Sequence, residues 1–108
     1  MDSSSNSFSA TLESFNGYAA VVLVGELDLD SAPALSSVLD PLLDDGPFEV
    51  IIECSSLSFI DSSGIAVLVA AQKRLQIRGG QLVVRSLQPH ARRIFATVGL
   101  IDFLGVVN

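Results

Sequence analysis

The sequence predicts a single α/β domain with a mixed β-sheet, and three observations support this. Phe8–Leu12 and Tyr18–Val24 are strand-like segments on either side of Asn16-Gly17, a pairing typical of a β-hairpin. Beyond residue 31, segments with helical spacing alternate with apolar runs of strand length, which predicts parallel strands connected by helices. The 108 residues suffice for one hydrophobic core. The predicted order is β-β-α-β-α-β-α-β, with an N-terminal hairpin and helices packed on the sheet.

The first helix is predicted to begin at Ser31-Ala32-Pro33, because serine is a favoured cap and proline fits the first turn. Its apolar face recurs at helical spacing, and the helix ends before Gly46-Pro47. The face consists of Leu35, Val38, Leu39 and Leu42. Pro41 removes an internal hydrogen bond, so we expect a kink or a break near Asp40.

The second half of the chain predicts two further strand and helix units. The strands are Phe48–Cys54 and Gln81–Arg85. The helices begin at Ser62 and at Pro89, and each ends at glycine, the first at Gly79-Gly80 and the second at Gly99. Phe103–Val107 is predicted to add a final short strand. Cys54, the single cysteine, is expected to be a small buried hydrophobe.

Composition argues against several classes of protein. The longest apolar runs, Ala19–Val24 and Ile65–Ala71, are far shorter than the roughly 20 residues of a membrane span, so no membrane insertion is expected. Met1–Ser7 lacks the basic start and apolar centre of a secretion signal. We therefore expect a disordered tail at residues 1–7, a domain at residues 8–108 and a cytoplasmic location.

The charges are unevenly distributed along the chain. The net charge of -6 disfavours binding to nucleic acid, which requires clustered Lys and Arg. Every Lys and Arg follows Ser62, whereas eleven of the twelve acidic residues lie at or before Asp61. The folded domain has a charge gradient, or these charges only decorate solvated faces; the sequence leaves both open.

The most informative segment is Leu57–Leu68, in which an apolar strand ends at Asp61-Ser62-Ser63-Gly64 and an apolar helix begins. The first N–H groups of a helix lack intrahelical partners and attract anions. A phosphoryl group on Ser62 would meet the free amides that follow, and Gly64 would allow a tight turn. The alternative is that Ser62 or Ser63 only caps the helix.

A second acidic segment is predicted to lie near Ser62. Glu26, Asp28 and Asp30 follow an apolar strand, and the carboxyl ends of parallel strands meet at one edge of a sheet. Three acids so close together are poor core material, which favours a solvent-facing role. Alternatively, Asp28 or Asp30 only helps to start the helix at Ser31.

Four segments together resemble the bacterial anti-sigma factor antagonists, the small STAS domains. They are Gly25-Glu26-Leu27-Asp28, Leu57 to Gly64, Gly79 to Val84 and Ile94 to Leu100. The resemblance extends from about Phe8 to Val107. It implies that an anti-sigma factor serine kinase phosphorylates Ser62 with ATP. It also implies that the unphosphorylated protein binds that kinase and releases a sigma factor, and that a PP2C-type phosphatase restores it. The implied partner-binding residues are Glu26, Asp28, Asp61, Ser63 and Gly64.

Two other functions compete with this interpretation. STAS domains also serve as non-phosphorylated subunits of signalling scaffolds or of lipid-transport complexes. A serine hydrolase would use Ser62 with His90 as its base, but the chain lacks a Gly-x-Ser-x-Gly elbow, and Asp61 directly precedes Ser62. No enzymatic activity is expected. The chain also has no phosphate-binding loop and no His/Cys ligand spacing, so no cofactor or metal is expected.

Overall fold

The computed structural model describes residues 8–108 and confirms an α/β domain with a mixed four-stranded sheet. The elements are β1 (Phe8–Ser14), β2 (Tyr18–Leu27), α1 (Ala32–Asp45), β3 (Glu49–Ile60), α2 (Ser62–Ile77), β4 (Gln81–Arg85) and α3 (Pro89–Thr97). The tail predicted at residues 1–7 lies outside the described residues.

The strands lie side by side in the order β1-β2-β3-β4. β1 and β2 are antiparallel and form the predicted hairpin, in which the N–H of Phe15 donates to the carbonyl of Tyr18 at 2.9 Å. Gly17 in this turn has φ +92, a conformation that glycine adopts without steric cost. The β2–β3 and β3–β4 pairs are parallel, as the alternation of strands and helices predicts.

The core lies between the helices and one face of the sheet. Burial alternates over Val21–Leu23 of β2 and Val50–Cys54 of β3, because successive strand side chains point to opposite faces. The buried hydrophobic residues include Val21, Leu23, Val50, Ile52, Leu68, Leu75, Leu82 and Phe95. In α1, Leu35, Leu39 and Leu42 are buried as predicted, whereas Val38 is half-buried. Cys54 is fully buried in this core, which confirms its predicted role.

Pro41 does not break α1, so of the kink or break predicted near Asp40 the break is wrong. The helix runs without interruption from Ala32 to Asp45. Proline leaves the carbonyl four residues earlier without its helical partner, and here that residue is Ser37. Ser37 and Pro41 are both exposed, so water can satisfy the carbonyl.

The prediction of a final strand at Phe103–Val107 is also wrong. Residues 101–105 form turns, and only Val107 makes an isolated bridge to Arg85. Local hydrogen bonds replace the strand ladder, since Leu104 N–H donates to the Leu100 carbonyl and Gly105 N–H donates to that of Asp102. Gly105 has φ +56, which bends the chain. The segment still covers the outer edge of β4, where Val84 N–H donates to the Leu104 carbonyl at 3.0 Å.

The buried side-chain amide of Gln72 connects the C-terminal turns to the rest of the domain by hydrogen bonds. Gln72, 2 % exposed, accepts a hydrogen bond from Leu82 N–H and donates to the carbonyls of Leu82 and Phe103. One side chain of α2 thereby binds both β4 and the C-terminal turns. The sequence did not predict these partners of Gln72.

Charges from the two halves of the sequence meet across α1 and α2. Arg74 pairs with Asp40 at 2.9 Å and with Asp44. Arg78 donates to three backbone carbonyls at the end of α1, those of Leu42, Leu43 and Gly46. The uneven charge distribution along the sequence is therefore partly compensated in the fold.

Candidate functional site

The two acidic loops meet at the carboxyl ends of β2 and β3. Leu27 and Ile60 are register partners, and Asp61 N–H donates to the Leu27 carbonyl at 3.1 Å. Asp28 follows Leu27, and Ser62 follows Asp61, so the parallel pairing brings both segments to one edge of the sheet. This is the edge that the sequence predicted.

Asp61 caps α2. Its Oδ1 accepts hydrogen bonds from Ser63 N–H at 2.9 Å and from Gly64 N–H at 3.3 Å. The Asp61 carbonyl accepts the first helical bond, from Ile65 N–H. The sequence predicted that a phosphoryl group on Ser62 would meet free amides in this turn. That expectation needs correction, because the Asp61 carboxylate already occupies the amides of Ser63 and Gly64.

Ser62 is the first residue of α2, and its side chain is exposed. Within residues 8–108, its hydroxyl makes no hydrogen bond, and Asp61, not Ser62 or Ser63, serves as the side-chain cap. Ser63 is half-buried. The hydroxyl of Ser62 is therefore open to solvent on a helix that is capped without it.

Gly64 is buried where α2 approaches the ends of two strands. A Cβ at this position would lie 2.5 Å from Leu27 Cγ and 3.1 Å from Ile60 Cγ1, the first of which is far below van der Waals contact. The sequence attributed Gly64 to a tight turn. The structure instead gives close packing of the helix on Leu27 as the reason, and this packing positions Ser62 beside the Asp28 loop.

Asp28 organises the loop that faces this helix. Its Oδ1 accepts hydrogen bonds from Asp30 N–H at 3.0 Å and from Ser31 N–H at 3.1 Å. Ser31 was predicted as the cap of α1, but its side chain makes no capping bond. Its nearly buried hydroxyl instead donates to the Glu26 carbonyl at 2.8 Å and accepts from Asp28 N–H at 2.9 Å. The Asp28 carboxylate therefore shapes the start of α1, and Ser31 positions that loop.

Apolar side chains surround the carboxylates at this edge. Glu26 is exposed beside a register shift in β2 and pairs with Phe59, which is 41 % exposed. Leu29, between Asp28 and Asp30, is 73 % exposed. Neither Leu29 nor Phe59 was predicted from the sequence as a site residue, although Leu29 lies between two acidic residues, where a core residue is not expected. Exposed apolar groups amid charges are typical of a protein-binding surface.

Two ionisable groups of β3 have shifted pKa values. Burial, and less strongly the nearby Glu53 charge, raises the pKa of the Cys54 thiol to about 12. For Glu53, desolvation raises the pKa, but hydrogen bonds from Arg85, Ser55 and Ser86 outweigh it and hold the pKa below its ordinary value. Arg85 Nε lies 2.7 Å from Glu53 Oε1. Cys54 is therefore a neutral core residue at neutral pH.

The described structure gives no support to the hydrolase, metal or membrane alternatives. His90 lines a groove with Ser56, Ser58 and Arg93, and residues 8–108 form no hydrogen bond between its ring and the Ser62 hydroxyl. No group of three or more His, Cys, Asp and Glu in the described part of the chain could hold a metal ion. None of the helices between residues 8 and 108 combines the length and apolarity needed to cross a bilayer.

Comparison with known proteins identifies the family. A family model described as "Mlab, STAS domain" matches residues 12–106, which include every strand-end residue of the site. The chain belongs to the STAS domain family. This agrees with the resemblance seen in the sequence.

Individual relatives support this assignment. The anti-sigma-B factor antagonist of Staphylococcus aureus strain NCTC 8325 is 30% identical over 82 residues, which are 76% of each chain. An anti-sigma factor antagonist from Mycobacterium paratuberculosis has a crystal structure with TM-score 0.85 and 28% identity, covering 96% of this chain and 88% of that one. SpoIIAA in its unphosphorylated form has TM-score 0.79 and 22% identity, covering 93% of this chain and 89% of its own, and so shares the fold.

Proposed function

We propose that this STAS domain is an anti-sigma factor antagonist whose unphosphorylated form binds an anti-sigma factor serine kinase and so releases a sigma factor. Phosphorylation of Ser62 switches this binding off, and a PP2C-type phosphatase restores it. The observation that carries the proposal is the exposed, unbonded Ser62 hydroxyl on a helix that Asp61 caps. In this role the chain is a substrate of the kinase, acts in the cytoplasm and needs no cofactor of its own.

The geometry supports phosphoryl transfer without unfolding. The Ser62 oxygen attacks the γ-phosphorus of ATP held by the kinase, the bond to ADP breaks, and a base on the kinase accepts the hydroxyl proton. Because no helix bond depends on this hydroxyl, its modification leaves the cap of α2 in place. The fold of the phosphorylated domain is therefore expected to remain the same.

Electrostatics then explain how the modification changes binding. A phosphoserine carries a charge of about -1.5 to -2 at neutral pH. It would stand beside the Asp61 carboxylate, which already holds the amides of Ser63 and Gly64, and near Glu26 and Asp28. The new charge therefore finds little compensation in its own helix turn, and it repels an acidic or apolar partner surface.

The proposed partner surface consists of Glu26, Asp28, Asp61, Ser63 and the exposed apolar residues Leu29 and Phe59, centred on Ser62. Gly64 contributes by its packing, because it is buried and has no side chain to offer. Because Leu29 and Phe59 are exposed, we expect the partner surface to be partly apolar, and an uncompensated phosphate charge would lose its hydration against such a surface.

The test uses the kinase recovered from the host with the tagged full chain. Incubation with that purified kinase and ATP should place one phosphate on the peptide that contains Ser62, as read by mass spectrometry. Ser62→Ala, the matched control, should take up no phosphate under the same conditions. A phosphate on Ser63, or on a serine before Phe8, would refute the assignment.

Binding measured by calorimetry tests the switch itself. Ser62→Ala should bind the kinase as tightly as the unphosphorylated wild type, and Ser62→Asp at least tenfold more weakly, a difference of about 1.4 kcal/mol. Equal affinities would contradict an electrostatic switch.

The match to a model described as "Mlab, STAS domain" favours a second candidate function, that of a non-phosphorylated scaffold subunit. A stoichiometric complex that ATP leaves intact, with Ser62 unmodified in protein recovered from cells, would support that function and exclude the first.

A further inference from the structure

We propose that the groove between the free edge of β3 and the start of α3 binds an extended acidic segment of a partner protein. The residues that line this groove are not among those of the proposed Ser62 surface. Its basis is a strand edge that has no strand neighbour within residues 8–108, a groove beside that edge, and the side chains of His90 and Arg93, which make no ion pair or side-chain hydrogen bond within those residues.

The free edge arises because β3 is much longer than β4. β3 has 12 residues and β4 has 5, and their register ends at Glu53 and Arg85. On its other side, β3 stays paired with β2 as far as Leu27 and Ile60. Within the described chain, residues 54–60 therefore have a strand neighbour on one side only. Such an edge presents backbone groups that an added strand can pair with.

One contact indicates the direction in which this edge is open. The side-chain amide of Gln88, just before α3, donates to the Ser55 carbonyl at 2.8 Å. A backbone acceptor of β3 thus points towards α3, and a side-chain amide occupies the place that a neighbouring strand would take. The next residues along this edge lie beside open space.

That space is a groove of about 570 Å³, within the range of about 300–1,000 Å³ typical of ligand sites. It is lined by Ser56, Ser58, Gln88, Pro89, His90 and Arg93. A second groove shares His90 and Arg93 and continues along α3 past Ile94 to Val98, which is 55 % exposed. The surface thus runs from a polar strand edge to an apolar helix face.

The side chains that line the groove favour a negatively charged partner. His90 and Arg93 lie three residues apart on one helix face, and among residues 8–108 no carboxylate lines the groove with them. Neither makes an ion pair or a side-chain hydrogen bond within residues 8–108, whereas Arg74 and Arg85 are paired with acids. In a chain of net charge -6, the guanidinium of Arg93 therefore attracts negative charge to this groove.

An extended peptide fits these features better than a small anion does. Its backbone can pair with the edge of β3 while alternate carboxylates face His90 and Arg93. An apolar residue of the same segment can contact Ile94 and Val98. Inorganic phosphate would contact only the side chains of His90 and Arg93.

The test titrates the unphosphorylated full chain, labelled with nitrogen-15, with the acetylated peptide Glu-Val-Glu-Val-Glu-Val and follows amide shifts by NMR. We expect shifts at Ser56, Ser58, His90 and Arg93, and slower hydrogen exchange of amides in residues 55–60. Arg93→Gln should weaken binding at least fivefold. The control Lys73→Gln, an exposed charge on α2, should leave it unchanged, and the Gln-Val analogue should bind at least fivefold more weakly.

Several outcomes would overturn the proposal. These are shifts confined to other surfaces, equal affinity of Arg93→Gln and wild type, or unchanged exchange at residues 55–60. The same shifts produced by inorganic phosphate alone would assign the groove to an anion. Concentration-dependent shifts without peptide would assign it to a second copy of the chain.

Discussion

Asp28 and Ser31 are joined by reciprocal hydrogen bonds: Asp28 N–H donates to Ser31 Oγ at 2.9 Å, and Ser31 N–H donates to Asp28 Oδ1 at 3.1 Å. The pair closes the loop between β2 and α1, at the sheet edge that carries Ser62. A carboxylate proposed to contact a partner therefore also maintains the backbone of the partner surface. Substitutions at Asp28 must be interpreted with both roles in view.

Asp28→Ala should lower the free energy of unfolding by about 0.5–2 kcal/mol, the range for losing a side chain that caps a helix start. The loss follows because the N–H groups of Asp30 and Ser31 lose their acceptor. Urea unfolding measures the change, and Asp30→Ala, which removes an exposed carboxylate from the same loop, is the control, with a change within about 0.5 kcal/mol. Equal stability of Asp28→Ala and wild type would contradict the structural role.

Asp61→Ala and Ser62→Ala should differ in stability although the residues are adjacent. Asp61→Ala removes the cap of α2 and should cost about 0.5–2 kcal/mol. Ser62→Ala removes a hydroxyl that makes no bond within residues 8–108 and should change stability by less than about 0.5 kcal/mol. Thermal unfolding of both variants checks the ranking. A larger loss for Ser62→Ala would mean that Ser62 is the cap after all.

Gly64→Ala should destabilise the domain by about 1–2 kcal/mol, because overpacking costs about 1–3 kcal/mol and helix propensity returns at most about 1. The added methyl group would stand 2.5 Å from Leu27 Cγ. A double-mutant cycle with Leu27→Ala tests this cause by urea unfolding. In the Leu27→Ala background, Gly64→Ala should no longer lower the free energy of unfolding. An unchanged loss would show that the contact with Leu27 is not its cause.

The buried Cys54 thiol should make stability fall at alkaline pH. Its pKa is raised from 9.0 to about 12 in the folded state, so the unfolded chain loses the proton first. The stabilisation is complete below pH 9 and declines as pH rises towards 12. Between about pH 8 and pH 10.5, wild type should lose about 2 kcal/mol more than Cys54→Ala, at 1.36 kcal/mol per pKa unit. Parallel pH profiles of the two proteins would exclude the effect.

Local patterns predicted much of this fold. Period-two alternation around Asn16-Gly17 gave the hairpin, and helical spacing gave three helices, because both signals depend on which side of an element is buried. The break expected near Pro41 does not occur, and Phe103–Val107 does not form the predicted strand. Ser37, whose carbonyl loses its helical hydrogen bond to Pro41, is exposed, so water can replace that bond. Around Gly105, hydrogen bonds within the turns replace the hydrogen bonds that a strand would have made to its neighbour.

The sequence by itself determined the family, the position of Ser62 after Asp61 at the start of a helix, and the meeting of the Asp28 and Ser62 loops at one edge, since parallel strands bring their carboxyl ends together. Only the tertiary structure decided which atoms do what at that edge. The Asp61 carboxylate accepts a hydrogen bond from the Ser63 amide, and Asp28 and Ser31 form hydrogen bonds to each other. Gly64 leaves the space that the side chain of Leu27 occupies. Such assignments depend on distances between residues remote in sequence, which packing sets and no local pattern encodes.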